Sequence, residues 1–202
     1  MASNPTIDTY NNYARVYDQE VAEWWSGFPK VILQTFVDNL PGKRILSVGS
    51  GSGRDAVLLR DLGLSIVCQD GSKPMIEITS ALGFESHLMD FSEINFPPQS
   101  FDGIWAFASL MHIPKEEAKV VIRTLRELLK PGGVFAIGVL IGETVGMEDR
   151  PTMAARYFKR YSARELRVMI EAIGFTMFYE NTYQPHSNTF LCQLYSLNAE
   201  AT

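Results

Sequence analysis

The chain has 202 residues, 46% of them hydrophobic and 20% charged, with a formal net charge of −5. That length and apolar content suit one packed domain and exclude wholesale disorder. The acidic balance gives no sign of the basic face that tracks nucleic-acid phosphates. Two cysteines, Cys68 and Cys192, each inside an apolar run, make no disulfide framework. Three histidines, His87, His112 and His186, fall at no metal-ligand spacing. The polar N-terminus lacks the layout of a signal peptide, and the longest apolar stretch, around 134–141, is far shorter than the ~20 residues of a spanning helix. A soluble, cytoplasmic protein is expected, with no membrane and no nucleic-acid partner.

Residues 8–39 carry Tyr10, Tyr13, Tyr17, Val21, Trp24, Trp25 and the run 31–37 at helical intervals, which predicts two helices broken near Gly27-Phe28-Pro29. Pro41-Gly42 ends this segment. Residues 44–48 read as a first strand, followed by a glycine-rich turn and a helix over 54–62 stopped by Gly63. A strand over 64–69, a helix over 73–82 ended by Gly83, and a short strand over 85–89 come next. Residues 101–107 are a fourth strand. Pro114, Glu116 and Glu117 then open a helix whose apolar face is Ala118, Val121, Ile122, Leu125, Leu128 and Leu129, with Lys130 in its last turn. After Pro131-Gly132-Gly133, residues 134–140 are nearly all apolar, as a strand covered on both faces should be. Residues 142–161 are weakly patterned and read as a surface excursion. Ser162-Ala-Arg-Glu165 is a capping box opening a helix with Leu166, Met169, Ile170 and Ile173 on one side. Strands over 175–179 and 190–197 close the chain, joined by a polar segment that permits an antiparallel pair. Strands alternating with helices predict an α/β fold around a parallel sheet.

The informative stretch is Ile45-Leu-Ser-Val-Gly-Ser-Gly-Ser-Gly-Arg-Asp55. Gly49, Gly51 and Gly53 follow a strand directly and open a helix, where glycine lets a ligand approach the backbone and the first helical N–H groups face it. The dinucleotide fingerprint would need a third small residue at position 54, which is Arg54, so a nicotinamide or flavin cofactor is disfavoured. Asp70, at the end of the second strand, suits the two hydroxyls of a ribose. Asp90, after the third strand, suits an adenine amino group, and Phe91 can flank the ring. All three features fall at the carboxyl ends of successive strands, where open α/β sheets bind ligands.

In order, Leu-Ser-Val-Gly-Ser-Gly-Ser-Gly (46–53), Gln-Asp-Gly-Ser-Lys-Pro-Met (69–75), Met-Asp-Phe (89–91), Phe-Asp-Gly-Ile-Trp-Ala (101–106), Leu-Met-His-Ile-Pro (110–114) and Leu-Leu-Lys-Pro-Gly-Gly (128–133) resemble the motifs of class I S-adenosylmethionine-dependent methyltransferases. The resemblance covers residues 40–197. It implies a Rossmann-like, doubly wound seven-stranded sheet, mostly parallel with an antiparallel last strand and helices on both faces. It also implies S-adenosyl-L-methionine as cofactor, held by Ser47, Gly49, Gly51, Gly53, Asp70, Gly71, Met75, Asp90, Phe91 and Ala106. Residues 1–40 become a helical cap over the cofactor site, with Tyr10 and Tyr17 contacting the cofactor. Residues 41–202 become the methyltransferase domain, with a lid at 142–161. One departure stands out: the family usually has an acid at the position of Ser47, where it helps hold the methionine end of the cofactor. Asp55 is a candidate to compensate.

For each candidate a plainer role exists: a tight turn for the glycines, a helix-start acid for Asp70, a turn residue for Asp90, core for Phe91, and an amphipathic helix for the tyrosines. His112, just past the fourth strand, is the candidate general base, with Ser109 weaker, and packing before Pro114 is its alternative. Arg150, Arg156, Lys159 and Arg160 cluster with Tyr157, Phe158 and Tyr161. They form either a solvated surface or a lid in which Arg156 and Tyr157 bind an anionic acceptor. Position 106 onward reads Ala-Phe-Ala-Ser, without the Asn/Asp-Pro-Pro-Tyr tetrad of DNA amino-methyltransferases, and no Pro-Cys nucleophile is present. A small-molecule acceptor is expected, on a monomer or homodimer. A non-catalytic cofactor-binding relative and a nucleotide-dependent oxidoreductase are the alternatives.

Overall fold

The computed structural model describes residues 4–150, 153–185 and 188–197, without the side chains of residues 23, 24, 26 and 150. Trp24 and Arg150 therefore lie outside the described side chains, and His186 outside the described residues. Two helices, α1 (Pro5–Ser26) and α2 (Lys30–Asp38), precede the sheet and part at the predicted break. The chain then runs β1 (Arg44–Val48), α3 (Arg54–Asp61), β2 (Ser65–Asp70), α4 (Lys73–Ala81) and β3 (Glu85–Leu88). It continues through β4 (Phe101–Phe107), α5 (Lys115–Leu128), β5 (Leu129–Leu140), β6 (Val145–Arg150), β7 (Met153–Lys159), α6 (Ala163–Glu171), β8 (Phe175–Tyr183) and β9 (Phe190–Leu197). None of the described helices is long and apolar enough to cross a membrane.

The seven-stranded sheet has the order β3-β2-β1-β4-β5-β9-β8. Pairing from β3 through β5 is parallel, and β9 runs antiparallel to both its neighbours. Strand order moves outward from β1 in one direction and then from β4 in the other. Right-handed crossovers therefore put α3 and α4 on one face and α5 on the other. This is the Rossmann-like, doubly wound architecture, with its ligand crevice at the carboxyl ends of β1 and β4. Strand β4 lies at the centre and is buried at every residue. Trp105 on β4 meets Phe36 of α2 with ring centroids 5.2 Å apart, and full burial of rings of this size contributes roughly 1.5–3 kcal/mol each.

Four local readings change. The helix before β5 ends at Leu128, and Lys130, Pro131 and the following glycines belong to β5. The cause is Asp102: its buried carboxylate accepts from Lys130 Nζ at 2.8 Å and from the Arg44 amide at 2.9 Å, drawing Lys130 to the sheet. Burial alone would raise this carboxyl, but the two donors outweigh it and hold it below the ordinary carboxylate range. The excursion over 142–161 is an antiparallel ribbon, β6 with β7. Ser162 caps α6 through the Glu165 amide at 3.1 Å, but the Glu165 carboxylate goes to Lys115 and Lys159 instead of closing the box. Finally, α1 kinks at Tyr13 (φ −121°, ψ 17°), so the three tyrosines do not form one continuous stripe.

Candidate functional site

The turn after β1 places Gly49 (φ +63°), Gly51 (φ +52°) and Gly53 (φ +76°) in the left-handed region. Gly49 also allows a close approach, because a Cβ there would lie 2.5 Å from Cβ of Ser109 and 3.3 Å from the Phe91 ring. The amides of the turn before α3 are themselves engaged. Gly49 N donates to Gln69 Oε1 (3.2 Å), Ser50 N to the Gln69 carbonyl (2.9 Å), Gly51 N to Asp70 Oδ2 (2.8 Å) and Gly53 N to the Ser50 carbonyl (2.9 Å). Bending the chain this sharply brings the amides back onto β2, so the turn offers shape rather than donors.

Beside the turn lies a cleft of about 580 Å³, mouth included, lined among others by Tyr10, Tyr17, Asp70, Asp90, Phe91 and His112. Asp70 accepts from the amides of Gly51 and Ser72, both at 2.8 Å, which leaves part of its four-fold acceptor capacity open. Burial raises its carboxyl to about 6, against the opposing pull of those amides. Asp90 caps the short 3-10 turn Phe91–Glu93 through the Ser92 amide (3.2 Å), so the plainer role and a place in the cleft coexist in one residue. Gly71 lines the cleft under Ile7 of α1, where a Cβ would come within 2.8 Å of the Ile7 side chain. Among the described residues, no lysine or arginine lines this cleft.

The far wall joins three distant segments. Tyr10 and Tyr17 meet edge to face with centroids 5.1 Å apart. His112 Nδ1 lies 2.8 Å from the Tyr157 carbonyl and therefore carries the proton, leaving Nε2 to accept from the Tyr10 hydroxyl at 2.9 Å. Arg156 Nη1 donates to the same hydroxyl oxygen at 2.8 Å. Arg156 is only 2% exposed, sits behind Tyr10 and over its ring (5.2 Å), and has Nε and Nη2 without hydrogen bonds. It does not line the cleft, so it is not the open lid cation the sequence pointed to. Tyr157 acts through its backbone, its amide donating to the Thr6 hydroxyl oxygen at 3.0 Å. Lys159 and Arg160 are engaged by Glu165 (3.0 Å) and Glu148 (2.8 Å).

The structure does not bring every candidate to the cleft. Ser47, Met75 and Ala106 are buried in the sheet or beneath it, and Gly53 opens α3 on its outer side. At the end of β4 the cleft is met by Ala108 (φ +54°) and Ser109, two and three residues beyond Ala106. Gln69 was not singled out, yet it holds the Gly49 amide and the Met89 carbonyl together. Its only sequence signal was a buried amide beside Asp70 at a strand end. Behind the turn, a second hollow of about 310 Å³, mouth included, is shared by Tyr17, Trp25, Ser50, Ser52, Asp55 and Phe107.

Residues 46–137 match the model of the methyltransferase domain family. The methyltransferase GfsG of Streptomyces halstedii is 30% identical over 114 residues, 52% of this chain and 40% of that protein. The chain spans less than half the length of the curated relatives it matches. Among solved structures, the 1,6-didemethyltoxoflavin-N1-methyltransferase of Burkholderia thailandensis, with bound 1,6-didemethyltoxoflavin and S-adenosylhomocysteine, superposes with a TM-score of 0.76 at 18% identity, over 98% of this chain and 92% of that one. The [4+2]-cyclase SpnF superposes at 0.72 and 15%, over 98% of each chain. In its glycine turn and strand order the chain shares the fold of these methyltransferase structures, and its residues 46–137 are similar to the methyltransferase domain.

Proposed function

We propose that this protein transfers the methyl group of S-adenosylmethionine to a small-molecule acceptor. One observation carries the reading: a cleft at the sheet's carboxyl edge has carboxylates at the ends of two strands, no lining lysine or arginine among the described residues, and turn amides already engaged by β2. A dinucleotide needs free amides or cations for its pyrophosphate. A sulfonium nucleoside is cationic and needs neither. The residues fit such a group: Asp70 retains acceptor capacity for ribose hydroxyls, Asp90 for an adenine amino group, and Gly49 and Gly51 leave room that a Cβ would take. Phe91 flanks the base, and the helical cap, residues 1–40, closes over it through Ile7, Tyr10 and Tyr17. The β6–β7 ribbon serves as the lid.

When bound, the cofactor supplies a methyl group already activated by a neutral thioether leaving group. The chain therefore contributes position and water exclusion above all. For an acceptor that must lose a proton, Tyr10 stands between it and His112. The acceptor's proton passes to the Tyr10 oxygen as the Tyr10 proton moves to His112 Nε2. The Tyr157 carbonyl holds the imidazole's orientation, and Arg156 steadies the Tyr10 oxygen.

Calorimetric titration with S-adenosylmethionine, S-adenosylhomocysteine and NAD tests the reading. The first two should bind and NAD should not, and Asp70→Ala should abolish binding. Tight NAD binding, or full affinity in Asp70→Ala, overturns it. A screen of metabolites against labelled cofactor then finds the acceptor.

A further inference from the structure

The hollow behind the glycine turn contains a buried acid with no counter-ion. Asp55, in the first turn of α3, is 5% exposed. One carboxylate oxygen accepts from the Ala56 amide at 2.9 Å, and among the described residues no cation lies within ion-pair distance of the carboxylate. The neighbouring cation, Arg54, also lines the hollow but is committed to Asp18 of α1 at 2.8 Å. Ser50 and Ser52, which share the hollow, are also buried and have hydroxyls with no partner. A buried carboxylate without a counter-ion is costly, and together with the buried serine hydroxyls it marks a place suited to a positively charged, hydrogen-bonding group.

The hollow also adjoins the cleft. Gly49, Gly51, Tyr17 and Ala108 line both, so a ligand in the cleft can extend past the glycine turn toward Asp55. Ser47 cannot serve that end. It is 1% exposed, pairs within the sheet and lines neither space. We propose that Asp55 is the counter-ion for the ammonium group of the cofactor's methionine tail, with the Ser50 and Ser52 hydroxyls beside it. The assignment rests on the methyltransferase reading above and adds to it the residue that recognises the tail.

Titration gives the assignment an independent signature. Burial pushes the Asp55 carboxyl up to about 7, against the Ala56 amide and the Trp105 indole N–H. The titratable groups around it are the Tyr17 phenol from α1, the Cys68 thiol from β2 (itself pushed up to about 12 by burial) and Asp70 at the end of β2. Arg54 lines the hollow as well, neutralised by Asp18. Near pH 7 the unliganded acid is partly protonated. Binding an ammonium restores its charge and releases a proton, so affinity for the tail rises from pH 6 to pH 8. Asp70 titrates lower and acts on the nucleoside alone.

The experiment compares S-adenosylhomocysteine, which has the ammonium, with 5′-methylthioadenosine, which has the same nucleoside and no amino-acid tail. Both are titrated calorimetrically into the full-length wild type, Asp55→Asn and Asp55→Ser. Both variants keep an oxygen for the Ala56 amide, and their folding is checked by melting at pH 5. Asp55→Asn should weaken S-adenosylhomocysteine by about tenfold or more, as loss of a buried charge-assisted contact does, and leave 5′-methylthioadenosine within about twofold. The wild-type ratio of the two affinities should rise with pH, with proton release seen across buffers, and the Asp55→Asn ratio should stay flat. Equal loss of both ligands, or no loss of either, overturns the assignment and leaves the cofactor reading standing. A wild type that binds neither nucleoside overturns both.

Discussion

Gly49 tolerates no side chain for two separate reasons. Its φ of +63° is left-handed, and a Cβ would lie 2.5 Å from Ser109. Gly49→Ala should therefore cost about 1–3 kcal/mol of stability and close the cleft to the nucleoside, seen as lost S-adenosylhomocysteine binding in a protein that still melts cooperatively. Tyr10 is a different kind of residue. Its hydroxyl joins His112 and Arg156, so Tyr10→Phe leaves two buried polar groups short of a partner, at a cost of about 1–3 kcal/mol in a urea titration. Asp70 and the glycines were readable because their meaning lies in spacing along a strand–turn–helix unit. Ala108 was not, since Ala106 and Ala108 differ only in where β4 stops, which β5 decides through the Gly138 carbonyl that receives the Ala108 amide at 2.8 Å.

At the level of elements, α1 and the β6–β7 ribbon are sewn together by two buried threonines. Thr9 Oγ1 donates to the Ala155 carbonyl at 3.0 Å, and Thr6 Oγ1 receives the Tyr157 amide at 3.0 Å. Helix α1 and the ribbon are therefore one unit. Thr6→Val should free the Tyr157 amide, cost about 1–3 kcal/mol, and raise hydrogen exchange in β7 and the first half of α1 together. Exchange that rises in β7 alone would separate the two elements. The ribbon itself was unreadable as strands. Gly146, Glu148, Asp149 and Arg150 break any apolar alternation, and it is held by cross-strand partners such as Glu148 opposite Arg156. By contrast, α5 was plain, because its apolar face recurs at helical intervals over 118–128.

Across the whole molecule, the buried acids set the response to pH. Asp55 and Asp70 have folded-state carboxyls raised by burial, to about 7 and about 6. Their contribution to stability is full below the ordinary carboxylate range and is lost as pH rises through those values. Asp102 has the opposite sign: held low by Lys130 and Arg44, it stabilises above the ordinary range, and that contribution fades as the medium becomes acidic. Asp55→Asn should therefore melt above the wild type at pH 8, by an amount on the order of 2–4 kcal/mol, with the gap closing by pH 4. A gap independent of pH would mean that folding does not raise the Asp55 carboxyl.

Local order was within reach of the amino-acid sequence alone. Strands, helices, the glycine bend and the acids at two strand ends depend on neighbours a few positions away, and periodicity records such neighbours. Only tertiary structure could decide that the bend's amides turn inward, that Arg156 is sealed behind Tyr10, and that Tyr10 and His112 meet across 102 positions of chain. Those outcomes depend on which distant surfaces exclude water from one another, and no spacing along the chain encodes that.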